Sequence, residues 1–313
     1  MIVVCGETLI DLVPAGGAGG DLWRALPGGS PANCAVALAR LGTPTAMLAR
    51  ISADGFGAIL RRRLDENNVD LRYVVEATEP STLAIVDVDD LGAARYSFYL
   101  EATADWQWSD AELPASFDEA VTALHTGSMA LFRAPGGVVL EGMLARERTR
   151  RVISIDPNVR PALCSDAAEY RDVVERWLGL AHIVKASADD VGWLYPDRAL
   201  ADVLAEWSHR GPSVVVFTLG TEGAIARTAA GVVVQAPGVQ VDVVDTIGAG
   251  DTFTAGLLHA LEETGCLDVE TLGSLGASEL EVALRFAVRA SAISCTREGA
   301  DPPYLQDLPP LGH

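Results

Sequence analysis

Short runs of β-branched residues alternate with helical segments along most of this chain. Residues 2–5 (IVVC) read as a buried strand and 45–50 (TAMLAR) as a second, with further strands near 121–126, 152–155, 182–185 and 213–218. A helix is predicted from Ser30 as N-cap and Pro31 at the first helical position, carrying Leu38 and Leu41 on its apolar stripe and ending at Gly42. Other helices are predicted near 56–67, 136–149, 167–179, 199–210, 251–264 and 279–295. Strands separated by helices of about 10–15 residues imply a parallel sheet, which must be covered on both faces. The expected class is therefore α/β: a doubly wound, mainly parallel central sheet with helices on both sides.

One stretch breaks this rhythm. Residues 81–89 (STLAIVDVD), a turn at 90–92 and residues 94–100 (ARYSFYL) make two strands with no helix between them. With strands from about 10–14 or 71–75 they would form a small sheet beside the main one, either as an edge feature or as a lid over a ligand. The Gly-rich residues 15–20 read as a loop tip, so residues 1–313 are expected to form one domain with this appendage.

Composition removes several functional classes. The 313 residues carry 43 acidic and 23 basic side chains, for a formal net charge of −20, which opposes nucleic acid and anionic membrane surfaces as partners. The five cysteines and five histidines show neither CxxC nor HxxxH spacing, against a zinc site or a disulfide framework. No apolar run approaches the ~18 residues of a membrane span, and the first residues lack a basic leader, so a cytoplasmic protein is expected. Lys185 is the only lysine among the 23 basic residues, and no glycine precedes it, which excludes a Walker A loop. The protein-kinase triplets are absent too.

Several segments could carry chemistry. In VVDTIGAGDTF, Gly248, Ala249 and Gly250 form a small-residue turn before a helix, where backbone N–H groups and the helix dipole favour an anion. Asp251 follows, either acting on a transferred group or merely complementing the dipole. A helix start would also hold its carboxyl low. Gly28 and Gly29 permit close backbone approach, and Asn33 offers an amide suited to hydroxyl groups or to a local cap. Asp11 lies past the first strand, and Asp156, Asn158 and Arg160 past another, where α/β sheets bind ligands. Thr218, Gly220 and Gly223 end a strand in a tight turn that reads equally as a hairpin.

Taken in order, these segments resemble the ribokinase-like (PfkB) carbohydrate kinases from Ile2 to about Pro303. The paired signatures are GGSPAN near the start and DTIGAGDTF near the end. Residues 102–108, 156–163, 184–196 and 295–303 are most similar to the bacterial fructokinase branch. The resemblance implies an ATP-dependent sugar kinase, with D-fructose to fructose 6-phosphate as the reaction. Alternatives are 2-keto-3-deoxygluconate, then ribose or adenosine, and, from another class, a sugar or nucleotide sensor without turnover. It implies Asp251 as the base and Gly248, Ala249 and Gly250 as the anion hole. Asp11, Gly28, Gly29, Asn33 and Arg160 would hold the sugar, with Tyr96 and Phe98 covering it. Ser187, Thr218, Gly220 and Gly223 would line the nucleotide site. Ser187 and Asp190 replace the Asn and Glu of an Asn-x-x-Glu motif, so contact of Asp190 with Mg²⁺ would be indirect. Asp245 and Ile247 match part of a potassium site in which Pro303 replaces a serine. Pairing of two copies through the small sheet is left open.

Overall fold

The computed structural model describes residues 1–15, 22–88, 94–164 and 166–312, without the side chains of 86–88 and 94–96. The Gly-rich tip at 16–20 and the turn at 90–92 therefore lie outside the described residues.

Eight strands form the main sheet, in the spatial order Val233–Pro237, Gly223–Thr228, Val214–Thr218, Ile183–Ser187, Val152–Asp156, Ala123–Gly127, Ile2–Cys5 and Thr45–Leu48. The six from Val214–Thr218 to Thr45–Leu48 pair in parallel, and the last two in sequence are antiparallel additions at one edge. Alternation along a strand sends successive side chains to opposite faces. Thus Ile2 and Val4 join a core with the helices Ser30–Arg40, Ala249–Glu263 and Ala277–Ser294. Val3 and Cys5 join another with the helices Gly136–Glu147, Ala167–Leu178 and Leu200–Trp207. Both faces are covered, as a parallel sheet requires.

The small sheet runs Trp23–Gly28, Leu9–Pro14, Leu83–Val88, Ala94–Tyr99. The middle pair is parallel and the outer pairs are antiparallel. One expected strand is corrected: residues 71–75 do not join it. Leu71 and Val74 pack on one main core and Tyr73 and Val75 on the other, while Val75–Ala77 pairs with Arg50–Ser52. The fourth strand is instead Trp23–Gly28, whose Pro27 and Gly28 disguise it. An edge strand tolerates both. The predicted strand 45–50 also divides, Thr45–Leu48 in the main sheet and Arg50–Ser52 in the two-stranded one. No helix among the described residues is long and apolar enough to cross a membrane.

Candidate active site

A cleft of about 510 Å³ opens where the small sheet meets the C-terminal ends of the parallel strands. Its walls bring together Asp11, Gly29, Asn33, Phe98, Arg160, Ile247, Gly248, Gly250 and Asp251, all singled out from the sequence. Glu7, Ser30, Ser128, Asn158 and Thr246 also line it.

The helix Ala249–Glu263 starts from Gly248, which adopts a left-handed conformation at φ 74° and leaves the helix start without a side-chain cap. Only glycine takes this conformation without strain. A Cβ there would also come within 2.9 Å of Ala300 Cβ, in the loop after the last long helix. Uncapped N–H groups at a helix start are ready to receive an anion.

Asp251, on the first turn, is buried and held on both oxygens. Ser30 Oγ donates to Oδ1 at 2.7 Å and Asn33 Nδ2 to Oδ2 at 2.9 Å. Behind Ser30 stands a relay: Arg160 donates to Asn158 Oδ1 at 2.5 Å, and Asn158 Nδ2 to Ser30 Oγ at 2.7 Å. Behind Asn33 stands another, in which Arg63 donates to Asn33 Oδ1 at 3.2 Å. The expectation that the helix start holds Asp251 low is overturned. Burial lifts its carboxyl above the usual aspartate value and outweighs the hydrogen bonds from Ser30 and Asn33. An aspartate so raised is a stronger base than a free one.

Ser30 is likewise corrected. The N-cap is Gly29, so Ser30 opens the helix and its hydroxyl, freed from capping, turns to Asp251. Asp11 stands across the cleft, pushed up to about 6 by burial against the pull of Arg63 and Arg160. Gly28 lies behind it: a Cβ at Gly28 would fall 2.1 Å from Asp11 Oδ2. Gly29 has φ 98°, and its Cβ would meet the Glu7 carbonyl at 2.6 Å.

Lys185, excluded from any Walker role, nevertheless belongs to this neighbourhood. Its Nζ donates to Asp156 Oδ2 at 2.7 Å, and a Cβ on Gly250 would lie 3.0 Å from it. Burial works against the ammonium, but Asp156 holds its pKa above the ordinary lysine value. The only lysine thus lies against the glycine turn. Its sequence context, an apolar strand without glycines, hides this.

The remaining expected residues lie along the same strand-end edge but not in the cleft wall. Ser187 and Asp190 cap the helix Ala188–Leu194 reciprocally, and Val159 N donates to Asp190 Oδ1 at 2.9 Å. Asp190 is therefore already engaged as a structural acceptor. Thr218 is opposite Ser187 in the sheet register. Gly220 opens a turn with free space around it, whereas Gly223 is locked against the Ala236 carbonyl and is required by the hairpin. Asp245 accepts from Ile247 N at 3.0 Å and Gly299 N at 2.8 Å, joining two loops beside the Gly248–Gly250 turn. The Tyr96 side chain lies outside the described residues.

A doubly wound sheet, an uncapped glycine turn and a buried, doubly hydrogen-bonded aspartate thus meet at one cleft. The family model described as pfkB family carbohydrate kinase matches residues 1–307. The chain is 39% identical over 276 residues to a fructokinase of Rhizobium leguminosarum bv. trifolii, covering 88% of this chain and 84% of that protein. It is 33% identical over 312 residues to a fructokinase of Klebsiella pneumoniae, covering 98% and 97%. Among solved structures, a double mutant of Vibrio cholerae O395 fructokinase with bound fructose, ADP and potassium superposes with a TM-score of 0.81 at 27% identity, covering 96% of this chain and 93% of the other. The chain belongs to the pfkB family of carbohydrate kinases.

Proposed function

We propose that this chain is an ATP-dependent fructokinase that converts D-fructose to fructose 6-phosphate. The observation that carries the reading is Asp251: buried, raised in pKa and held on both oxygens beside an uncapped helix start. The likeness to fructokinases, one of them with fructose and ADP bound, supports the choice of sugar.

Asp11, Gly28, Gly29, Asn33 and Arg160 hold the sugar so that one hydroxyl faces Asp251, with the small sheet closing through Phe98 and Tyr96. The sugar oxygen attacks the γ-phosphorus as the bond to the bridging ADP oxygen breaks, and the hydroxyl proton passes to the Asp251 carboxylate. The backbone at Gly248, Ala249 and Gly250 stabilises charge on the transferred group, so catalysis rests on positioning and electrostatics. Ser187, Thr218, Gly220 and Gly223 border the nucleotide. No group of three or more metal-ligating side chains occurs among the described residues. A Mg²⁺ carried in on the phosphates would meet Asp190, already accepting from Ser187 and Val159, only indirectly. Bound there, it would neutralise phosphate charge. The loops joined by Asp245, with Ile247, are our candidate potassium site. Trp23 and Tyr99, exposed on the two edge strands of the small sheet, are our candidate for pairing two copies.

The test is Asp251→Asn in a coupled ADP assay. ATP binding should persist while kcat falls at least ~10²-fold, the low end for loss of a general base. Near-normal turnover would sink the assignment. A panel of fructose, 2-keto-3-deoxygluconate, ribose and adenosine reads the acceptor. Highest kcat/KM on any sugar but fructose would overturn the substrate while leaving the kinase.

A further inference from the structure

Arg63 lies on the helix Gly55–Glu66, remote in sequence from both signature segments, yet its guanidinium ends among three chain segments that build the cleft. It donates to the Pro27 carbonyl on the small sheet, to Asn33 Oδ1 at 3.2 Å and to the Ala300 carbonyl at 2.8 Å. Each contact has a consequence. An asparagine amide has a donor end and an acceptor end that are nearly the same size, so its neighbours decide which way it points. With the guanidinium facing Oδ1, the NH₂ end must face Asp251, where it donates to Oδ2 at 2.9 Å. Flipping the amide would set NH₂ against guanidinium and carbonyl oxygen against carboxylate, two repulsive contacts in a buried place. The Ala300 contact holds the loop that closes over Gly248, the residue from which the anion-turn helix starts. The Pro27 contact ties the small sheet to the same point.

We propose that Arg63 is a positioning residue that sets the Asn33 amide toward Asp251 and clamps the small sheet and the Gly248 loop around it. Arg63 is suited to this by shape. A rigid planar fork can serve three acceptors at once, which a lysine ammonium at the same Cα cannot do in one geometry. Its effect on turnover rests on the kinase reading given above. Its effect on the amide does not.

The experiment therefore has two arms. In the free protein, NMR of the Asn33 side-chain amide should show slowly exchanging protons in the wild type and lost protection in Arg63→Ala. An Asn33 amide equally protected in the variant overturns the proposal, whatever the activity. In the ADP assay, Arg63→Ala should lower kcat by about 10- to 100-fold, the scale of a misplaced catalytic geometry, with KM for ATP little changed. Adding Arg63→Ala to Asn33→Ala should cost less than the same change costs in the wild type, because the amide through which it partly acts is already gone. An equal loss in both backgrounds indicates a structural role alone and overturns the proposal. Arg63 also lines an outer groove of about 400 Å³ with Pro27, Arg40 and Ala300. Guanidinium ion added to Arg63→Ala should enter from there and restore part of kcat, and methylammonium should not. A wild type that phosphorylates no sugar overturns the functional reading and leaves the amide arm to decide this one.

Discussion

At the scale of single residues, the chemistry of Asp251 is set by what surrounds it. Burial raises its carboxyl above the aspartate value of 3.8, while the hydrogen bonds from Ser30 and Asn33 pull it down. If it is the base, the acid limb of kcat/KM should have its midpoint above 3.8, and Asn33→Ala should shift that limb to still higher pH. A limb that moves down in the variant would contradict the arrangement. Glu7 offers a test through stability. It is buried in the cleft wall with Oε2 unpartnered, and burial pushes it from 4.5 up to about 8. A folded-state value above the unfolded one means the native protein holds the extra proton. Its contribution to stability is then complete below about pH 4.5 and lost as pH rises to about 8. Glu7→Gln should remove this loss. Relative to the wild type, it should gain roughly 2–4 kcal/mol on going from pH 4.5 to pH 8.5 in urea unfolding. Parallel pH profiles for the two proteins would refute the buried carboxyl.

At the scale of elements, the turn from the small sheet into the helix Ser30–Arg40 divides two roles between adjacent glycines. A Cβ at Gly28 meets the tip of the Asp11 side chain, which can swing away, whereas one at Gly29 meets fixed backbone and a positive φ. Gly28→Ala should therefore raise KM for the sugar several-fold, about 1 kcal/mol in binding, with a nearly unchanged melting temperature. Gly29→Ala should cost about 1–3 kcal/mol of stability, the scale of a strained φ. The reverse ranking in thermal unfolding and kinetics would show that the turn is misread. This element was only partly legible. The motif GGSPAN marks the helix start within one residue, but a cap at Ser30 and a cap at Gly29 look alike in sequence. Only the second frees the Ser30 hydroxyl for Asp251.

At the scale of the whole molecule, a net charge of −20 coexists with a cleft into which an uncapped helix start opens. The positive ends come from within: Arg63 and Arg160 through their relays, and Lys185 paired to Asp156 across two neighbouring strands of the main sheet. Lys185→Met would leave the Asp156 carboxylate buried and unpaired, and should lower stability by about 3–5 kcal/mol. Lys185→Met with Asp156→Leu should recover much of it, read by denaturant midpoints. A double variant no more stable than the single one would mean the pair is not the cause. The small sheet packs on the main core through Ile10, Leu12, Ala25 and Leu83, and Arg63 bonds its Pro27 carbonyl. If it closes on a sugar, fructose should slow amide exchange in Leu9–Pro14 and Leu83–Val88 and leave Ile183–Ser187 unchanged.

The sequence by itself determined the parallel sheet, its two covered faces and the glycine turn before the helix of Asp251, because hydrophobic periodicity and glycine conformation are local properties. Tertiary structure alone decided the neighbours of that aspartate. Ser30 and Asn158, Asn33 and Arg63, and Lys185 against Gly250 are separated by up to 221 positions in their contacts with it or with each other. No local pattern records such pairings, and burial, which raised Asp251 where its helix position would have lowered it, exists only once the chain has closed around it.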